Sequence, residues 1–505
     1  MITFEVSSAS PAQVDTDLLV LPCYEGPTQG PGVTEVGTAL GVNLVEILRR
    51  HRFSARVGDT LDLVSVGHIP AGSLVFVGLG PAGEVDSDVI RRSAMRAAGC
   101  MAMSARAATT LPAAGILRGE AGTGEEAASA FAEGLLLGAY RFDRYKRDPI
   151  DLVSREKPVL ERVTVLAGAA ERARVASGLR HGEVFARAAN WARDLVNAPA
   201  ADATPAALGD EAAQVARECG MACKVWAAGD LARGGFGGIL GVGQGSINEP
   251  RLLELSYSRA GGARPICLTG KGITFDSGGL SLKRSSEMEW MKSDMAGAAA
   301  VLAAMRGAVE LDLRVNVDAV LPFAENLPGG SALRPGDVVT QRGGRTSEVA
   351  DTDSEGRLIL ADALAYLAER RPAAVVDVAT LTDAAGLGEA LWAVMGNDPG
   401  LIAELLAAGE DVGDRGWQLP LPAAYRHYLE SSVADIRNTP EGAPDTTVMA
   451  GLYLREFIAD IPWVHIDNGS TAYLLQGGDG WPKGATGSPT RAMLRWLERR
   501  AEHRR

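Results

Sequence analysis

The chain has 505 residues, of which 46% are hydrophobic and 22% charged, so it is an ordinary globular protein long enough for two or more domains. Its formal net charge of −13 disfavours non-specific binding to nucleic acid or to anionic membranes. The start MITFEVSSAS lacks the features of a signal peptide, and no apolar stretch is long enough to cross a bilayer. The five cysteines form no disulfide or metal-finger pattern. We therefore expect a cytoplasmic protein.

Residues 1–165 alternate short strand-like runs with Ala-rich helical stretches, which predicts a small N-terminal α/β domain. The strand-like runs are MITFEV, LLVLPC, LVFVGLG and VTVLAG, and the helical stretches include VIRRSAMRAAGCMAMSARAA and a core helix around LLLGAY. Residues 166–196 predict a long connecting helix that ends at NAPAADATP.

Residues 197–505 predict a larger C-terminal catalytic domain. The runs KVWA, LLELSY, PICLT, RVNVDAVLP and AVVDVATL alternate with helical stretches. This alternation predicts a mostly parallel central sheet covered by helices. The fold class is therefore α/β, with the smaller domain joined to the larger one by the connecting helix.

Three Gly-punctuated segments of the larger domain contain charged residues that suit a metal site. These residues are Lys271, Asp276 and Lys283 in the first segment, Asp294 in the second, and Asp353, Glu355 and Arg357 in the third. The first segment follows a predicted strand, and the other two precede predicted helices. Because ligands bind at the carboxyl ends of strands in open α/β sheets, we expect the three segments to meet at one rim.

These residue types suit two neighbouring divalent cations. Two such cations repel each other unless several carboxylates neutralise them, and three Asp with one Glu supply four negative charges. An ammonium has no lone pair, so a lysine ligates a metal only after losing its proton, and either Lys271 or Lys283 is the candidate. The other lysine would stay charged and polarise a substrate carbonyl or stabilise an oxyanion. An oxygen-rich metal site of this kind indicates hydrolysis or phosphoryl transfer.

The segments GKGITFDSGGLSLK, MKSDMAGAAAVLAAM and DTDSEGRLILADALAYL resemble the signature segments of the leucyl aminopeptidase family, the two-metal M17 peptidases. RDLVNAPAADATPAAL, GVGQGSINEPRLLELSY, ENLPGGSALRPGDVV, DVATLT and PWVHIDNGSTAY followed by KGATG are also similar. The resemblance runs from about Asn190 to the C-terminus, and residues 1–165 match only in general pattern. It implies a metal-dependent aminopeptidase that takes peptides with a free N-terminus, binds two Zn²⁺, Mn²⁺ or Co²⁺ ions per subunit and forms a homohexamer.

The resemblance also implies a role for each residue. One metal would be held by Lys271, Asp276, Asp294 and Glu355, and the other by Asp276, Asp353 and Glu355. Lys283 would be the charged electrophile, and Arg357 would hold a bicarbonate ion that acts as general base. The residues implied for the substrate pocket are Met291, Thr380, Leu381 and Asp383.

Three positions depart from the family pattern. Asp351 and Ser354 stand where the family usually has Asn and Ala, and neither position is a metal ligand. Asp383 replaces the glycine of a TLTG motif, whose backbone lines the pocket for the first side chain. We expect this carboxylate to narrow the pocket, to add negative charge near the substrate's amino end and so to shift substrate preference.

Simpler explanations compete with each of these roles. Isolated acidic residues near helix starts are usually caps or solvated charges, and Arg357 has the alternative of pairing structurally with Asp353. Met291 and its neighbouring methionines are equally consistent with core packing. His465 and Asp467 are candidates for packing beneath the site rather than for chemistry.

Three other functions compete with a general aminopeptidase. One is a dedicated aminopeptidase that trims a single precursor peptide, for example in a natural-product pathway. The second is a non-catalytic DNA-binding or structural relative, which the complete ligand set and the acidic charge disfavour. The third is a phosphoesterase, which would normally use more histidine and would not need the second lysine.

Overall fold

The computed structural model describes residues 2–116, 123–147, 159–442 and 446–502 of this α/β protein. The chain forms two compact units. The first contains residues 1–187 and 476–482, and the second contains residues 188–475 and 483–505. The boundary lies within a 26-residue helix, Arg172–Asn197. The sequence-based domain limits, at residues 165 and 196, stay a prediction.

The first unit contains seven described strands and five described α-helices, and a sixth helix, α6, continues into the second unit. The strands are β1 (Thr3–Ser7), β2 (Leu18–Tyr24), β3 (Thr28–Gln29), β4 (Thr60–Val64), β5 (Ser73–Gly78), β6 (Arg106–Thr109) and β7 (Arg162–Leu166). The helices are α1 (Val33–Leu40), α2 (Leu44–Arg50), α3 (Ser87–Met101), α4 (Ala113–Ile116), α5 (Thr123–Gly138) and α6 (Arg172–Asn197).

The strands of this unit form one sheet in the order β1-β7-β6-β2-β5-β4, with β3 paired to β2. The pairs β4–β5 and β2–β3 are antiparallel and the other pairs are parallel. Side chains of β2 alternate between the faces: Val20 belongs to the core cluster that includes Phe131 of α5, and Leu19 belongs to the one that includes Val36 of α1. Helices therefore cover both faces, which is why β2 is buried throughout.

The predicted C-terminal end of one helix in this unit is wrong. The stretch 89–108 was expected to be helical throughout, but α3 ends at Met101 and Arg106–Thr109 forms β6. Ala107 and Ala108 are fully buried within the sheet, where β6 pairs with both β2 and β7. Tertiary pairing here overrides the helix preference of alanine.

The second unit contains the remaining described elements. Its strands are β8 (Ala222–Trp226), β9 (Arg251–Ser258), β10 (Ile266–Gly270), β11 (Gly272–Asp276), β12 (Asn316–Asn326), β13 (Val338–Thr340), β14 (Thr346–Glu348), β15 (Ala374–Ala379), β16 (Trp392–Gly396), β17 (Gly416–Gln418), β18 (Ile436–Arg437), β19 (Trp463–Asp467), β20 (Tyr473–Leu474) and β21 (Gly484–Ala485). Its helices are α7 (Pro205–Glu218), α8 (Ala228–Gly234), α9 (Gly237–Gly243), α10 (Ser285–Met288), α11 (Ala296–Glu310), α12 (Gly356–Glu369), α13 (Pro399–Val412), α14 (Thr446–Arg455) and α15 (Thr490–Glu502).

The main sheet of this unit has nine strands in the order β17-β16-β19-β15-β10-β12-β9-β8, with β11 also paired to β12. Its centre, β12-β10-β15-β19, is parallel, whereas β9 and β16 run antiparallel to their central neighbours. The central strands are buried almost throughout, and α11 and α12 pack on them. The five strands predicted for this domain are confirmed as β8, β9, β10, β12 and β15.

Two smaller sheets lie beside the main one, with the orders β13-β14-β18 and β20-β21. Across the described ranges of the chain, no helix is both long and apolar enough to span a bilayer.

Candidate active site

The predicted site residues lie where the central strands end and the following helices begin. Lys271 directly follows β10, and Asp276 is the last residue of β11. Asp294 follows the 3₁₀ turn Met291–Ser293, just before α11, and Glu355 directly precedes α12. The structure therefore brings the three charged segments to one rim of the sheet.

The side chain of Lys271 is enclosed by these segments. Its Nζ lies 2.8 Å from Asp294 Oδ1 and 2.7 Å from Glu355 Oε1, and it donates a hydrogen bond of 2.9 Å to the backbone oxygen of Thr380. A Cβ on Gly356 would lie 2.4 Å from Cε of Lys271, so α12 must begin with glycine to let this side chain pass.

Lys283 forms the second pair of contacts in the cluster. Its Nζ lies 2.9 Å from Asp276 Oδ2 and 2.6 Å from Asp353 Oδ1. The side chain of Lys283 is 13% exposed and that of Lys271 is 4% exposed. Lys283 is therefore the lysine that solvent or a ligand reaches more easily.

The cluster has the donor set that divalent cations require. One carboxylate oxygen each of Asp276, Asp353 and Glu355 lie within 4.8 Å of one another. Asp294 Oδ2 and Glu355 Oε2 are buried and accept no hydrogen bond from any residue that the structure describes. Because buried carboxylate oxygens normally have partners, these oxygens fit hard or borderline metal ions.

The electrostatics of the cluster reflect crowded negative charge. Burial raises the pKa of Asp353 to about 7, with a further contribution from Asp276. Burial also raises the pKa values of Asp294 and Glu355, although Lys271 opposes both shifts. Burial alone would lower the pKa of Lys271, but the surrounding carboxylates hold it above its ordinary value. Four carboxylates against two ammonium groups leave two negative charges in excess, which favours bound cations.

Arg357 lies in the first turn of α12 and is buried. Its Nη1 donates to the backbone oxygen of Asn438 at 2.7 Å, and its Nε has no hydrogen-bond partner among the described residues. Within the described ranges no ion pair joins Arg357 to Asp353, so the structure does not support the simpler explanation of a structural pair.

The predicted pocket residues lie in two segments, the turn before Asp294 and the loop after β15. Thr380 contributes its backbone oxygen to Lys271, and its hydroxyl donates to Asp294 Oδ1 at 2.7 Å. Met291 is half-buried in the turn before Asp294, and Leu381 directly follows Thr380. Asp383 is exposed and begins the 3₁₀ turn 384–386.

Asp467 holds the segment that follows β15. Its carboxylate accepts hydrogen bonds from the backbone N–H of Leu381 at 3.3 Å and from the Thr382 hydroxyl at 2.5 Å. His465 Nδ1 lies 2.5 Å from Asp377 Oδ1, and both residues are fully buried. The candidates His465 and Asp467 thus lie in the core, and Asp467 fixes the backbone loop that directly follows Thr380.

Two asparagines near the cluster were missed from the sequence. Asn326 donates to Asp276 Oδ1, and Asn438 makes four hydrogen bonds with the backbone of 350–354. Asn326 is the last residue of the buried strand β12, and Asn438 follows the short strand β18. Neither lies within the three charged segments, and the sequence offered only a weak signal, an uncharged polar residue where a strand ends.

Comparison with known proteins gives a consistent family. Residues 190–494 match the model described as the catalytic domain of the cytosol aminopeptidase family, and residues 20–149 match the N-terminal domain of the same family. A probable cytosol aminopeptidase of Syntrophotalea carbinolica is 41% identical, over 96% of this chain and 97% of that protein. One of Streptomyces griseus is 39% identical, over 99% of both chains.

Two solved structures are similar along almost their whole length. The bottromycin maturation enzyme BotP in complex with Mn is 36% identical, with a TM-score of 0.84, over 96% of this chain and 100% of that one. A mutant of tomato leucine aminopeptidase is 28% identical, with a TM-score of 0.86, over 99% of this chain and 97% of that one.

Proposed function

The chain belongs to the cytosol aminopeptidase family and is an aminopeptidase of the hydrolase class, and from this premise we propose that it releases the N-terminal residue of peptides by a two-metal mechanism. The observation that carries the proposal is the enclosed cluster of four carboxylates and two lysines, in which buried carboxylate oxygens have no hydrogen-bond partner among the residues that the structure describes.

Lys271, Asp276, Asp294 and Glu355 would hold one metal ion, and Asp276, Asp353 and Glu355 the other. The grouped oxygens of Asp276, Asp353 and Glu355 support the second set, and the contacts of Lys271 with Asp294 and Glu355 support the first. The solved complex of BotP with Mn supports Mn²⁺ as an ion to test, beside Zn²⁺ and Co²⁺.

Two divalent cations, when bound, supply an activated water and a Lewis acid for the peptide carbonyl. Lys283 is the residue of this chain that would face the reacting carbonyl, since it is the more exposed lysine. Burial would lower the pKa of Lys283, but Asp276 and neighbouring carboxylates hold it above its ordinary value, so its ammonium stays charged. It would donate to the carbonyl oxygen as negative charge develops there. The neighbouring carboxylates also hold the pKa of Lys271 above its ordinary value in the metal-free cluster. Lys271 would therefore act as a ligand only after a bound cation displaces its proton.

Arg357 would hold a bicarbonate ion that serves as general base. Its Nε is buried without a hydrogen-bond partner among the described residues, while Nη1 is fixed by the backbone oxygen of Asn438. A planar guanidinium held in this way is suited to a planar anion, to which it can donate two parallel hydrogen bonds. No side chain in the three charged segments supplies another general base.

The substrate is either a range of peptides or one dedicated precursor. The similarity to BotP, a bottromycin maturation enzyme, favours including the dedicated processing enzyme as a second candidate. Asp383 points in the same direction, because it places an exposed carboxylate three residues after Thr380, whose backbone oxygen contacts Lys271. Thr380, Leu381, Met291 and Asp383 are the residues we assign to the pocket for the first side chain.

The setting of the enzyme is also proposed from its relatives. The name cytosol aminopeptidase supports a cytoplasmic location. The family resemblance supports a homohexamer, which light scattering coupled to size-exclusion chromatography would measure directly.

Hydrolysis of a panel of peptides with varied N-terminal residues tests the function. Metal-stripped protein is re-supplied with Mn²⁺, Zn²⁺ or Co²⁺, and Lys283→Ala and Asp353→Ala are assayed in parallel. Metal-dependent release of the first residue from many peptides, lost in both variants, is the expected result. Turnover of only one or two peptides would favour the dedicated processing enzyme, and metal binding without any turnover would refute the aminopeptidase mechanism.

A further inference from the structure

Asn326 is a buried side chain at the point where two of the charged segments meet. It is the last residue of β12, and the parallel pairing with β11 places it opposite Asp276. Only 4% of its surface is exposed. Its backbone oxygen accepts hydrogen bonds from the N–H of Ser277 at 3.0 Å and from the Ser277 hydroxyl at 2.7 Å. Hydrogen bonds to its backbone therefore hold Asn326 in place independently of its side chain.

The amide of Asn326 determines how the Asp276 carboxylate is presented. Its Nδ2 donates to Asp276 Oδ1 at 2.8 Å, and the same oxygen accepts the backbone N–H of Gly278 at 2.9 Å. Two donors on Oδ1 prevent the carboxylate from rotating freely. Oδ2 is then the oxygen that faces the cluster, where it lies 2.9 Å from Lys283 Nζ.

The same amide group also reaches the third charged segment. Nδ2 of Asn326 donates to the backbone oxygen of Thr352 at 3.0 Å, one residue before Asp353. The Thr352 hydroxyl in turn donates to the backbone oxygen of Gly278 at 2.7 Å. One side chain thus ties the turn after β11 to the turn that carries Asp353.

We propose that Asn326 is a positioning residue for the metal pair: its amide directs Oδ2 of Asp276 into the cluster and fixes the spacing between Asp276 and Asp353. This inference rests on the proposed two-metal function. Polar groups that orient metal ligands in this way typically change metal affinity by about 10–100-fold when they are removed. The effect follows from pre-organisation, since ligands already held in place lose less conformational freedom when the ions bind.

The same strand offers a matched control. Asn316, the first residue of β12, is 5% exposed and makes four hydrogen bonds with the backbone of 259–263. It lies ten residues from Asn326 along an extended strand, at about 30 Å. Its substitution removes a comparable set of buried hydrogen bonds without touching Asp276 or Asp353.

The test measures Mn²⁺ affinity by calorimetric titration of metal-free protein, together with the absorption spectrum of the Co²⁺-loaded protein and the melting temperature in chelator. The first variant is Asn326→Leu, which removes the amide donor. The second is Asn326→Asp, which puts a carboxylate oxygen in place of the amide nitrogen at nearly the same side-chain volume. The control is Asn316→Leu. We expect both Asn326 variants to lose at least tenfold in Mn²⁺ affinity and to show an altered Co²⁺ spectrum. Asn316→Leu should lower only the melting temperature.

Wild-type affinity and an unchanged Co²⁺ spectrum in either folded Asn326 variant would overturn the inference. An equal loss of affinity in Asn316→Leu would also overturn it, because the effect would then be one of general stability. A wild-type protein that binds fewer than two ions would instead refute the proposed function, so the two failures are distinguishable.

Discussion

Replacement of Lys271 by methionine should strongly destabilise the metal-free protein. Lys271 Nζ is the cation closest to the buried carboxylates of Asp294 and Glu355, at 2.8 and 2.7 Å. Methionine fills a similar volume but leaves both carboxylates without that charge. Breaking a buried ion pair by removing one partner costs about 3–5 kcal/mol. We therefore expect a loss of about 4 kcal/mol in the free energy of unfolding, or about 6 °C in the melting temperature of the second unit.

Added metal should stabilise the variant, because a dication neutralises the same carboxylates. Metal at a thousandfold excess over the variant's dissociation constant contributes about 4 kcal/mol, which would return Lys271→Met to about the stability of metal-free wild type. Differential scanning calorimetry of wild type and Lys271→Met, in chelator and in Mn²⁺, measures both quantities. The control is Lys224→Met, which removes an exposed lysine 3.8 Å from Glu254 and should cost less than about 1 kcal/mol. If Lys271→Met and wild type had the same melting temperature in chelator, the account of the cluster would be refuted.

Three further predictions concern the surroundings of the site. Asp383→Gly should change the relative rates for different N-terminal residues and leave the metal requirement intact; an unchanged profile over the peptide panel would exclude Asp383 from the pocket. Ala385→Gly should raise the free energy of unfolding by about 1 kcal/mol, because Ala385 has a φ of 54° in the left-handed region, and denaturant titration that shows no gain would contradict this. Burial raises the pKa of Asp362 from its ordinary value of 3.8 to about 7, so the folded state binds the proton more tightly. The contribution of Asp362 to the free energy of unfolding is thus fully present below about pH 4 and is lost as the pH rises through 7. Denaturant titration at several pH values should show this loss in wild type and not in Asp362→Asn.

Much of the catalytic unit was predictable because its strands are apolar runs and its charged residues are grouped. The resemblance to the leucyl aminopeptidase family is confirmed by the family match and by relatives of about 40% identity along the whole chain. The strand before Lys271 and the helices after Asp294 and Glu355 lie where the sequence analysis placed them. The strand before Lys271 and the helices after Asp294 and Glu355 were predictable because hydrophobic periodicity and the grouping of charged residues are local features of the sequence.

The features that the sequence did not reveal depend on long-range pairing. The sequence analysis placed the segment that carries Asp276 after a strand, but this segment itself forms β11 because it pairs with the end of β12. Asn326 and Asn438 contact the charged segments only because β12 and β18 bring them there. The substitution at Asp383 was visible in the sequence, whereas its exposure and the left-handed turn after it come from the folded loop.

Titration of metal-free protein with Mn²⁺, with binding and peptide hydrolysis followed on the same samples, tests the two-metal mechanism most directly. The account predicts two ions per chain, hydrolysis only when both are bound, and a single ion with no hydrolysis in Asp353→Ala. Full hydrolysis in chelator, or with one ion per chain, would contradict it.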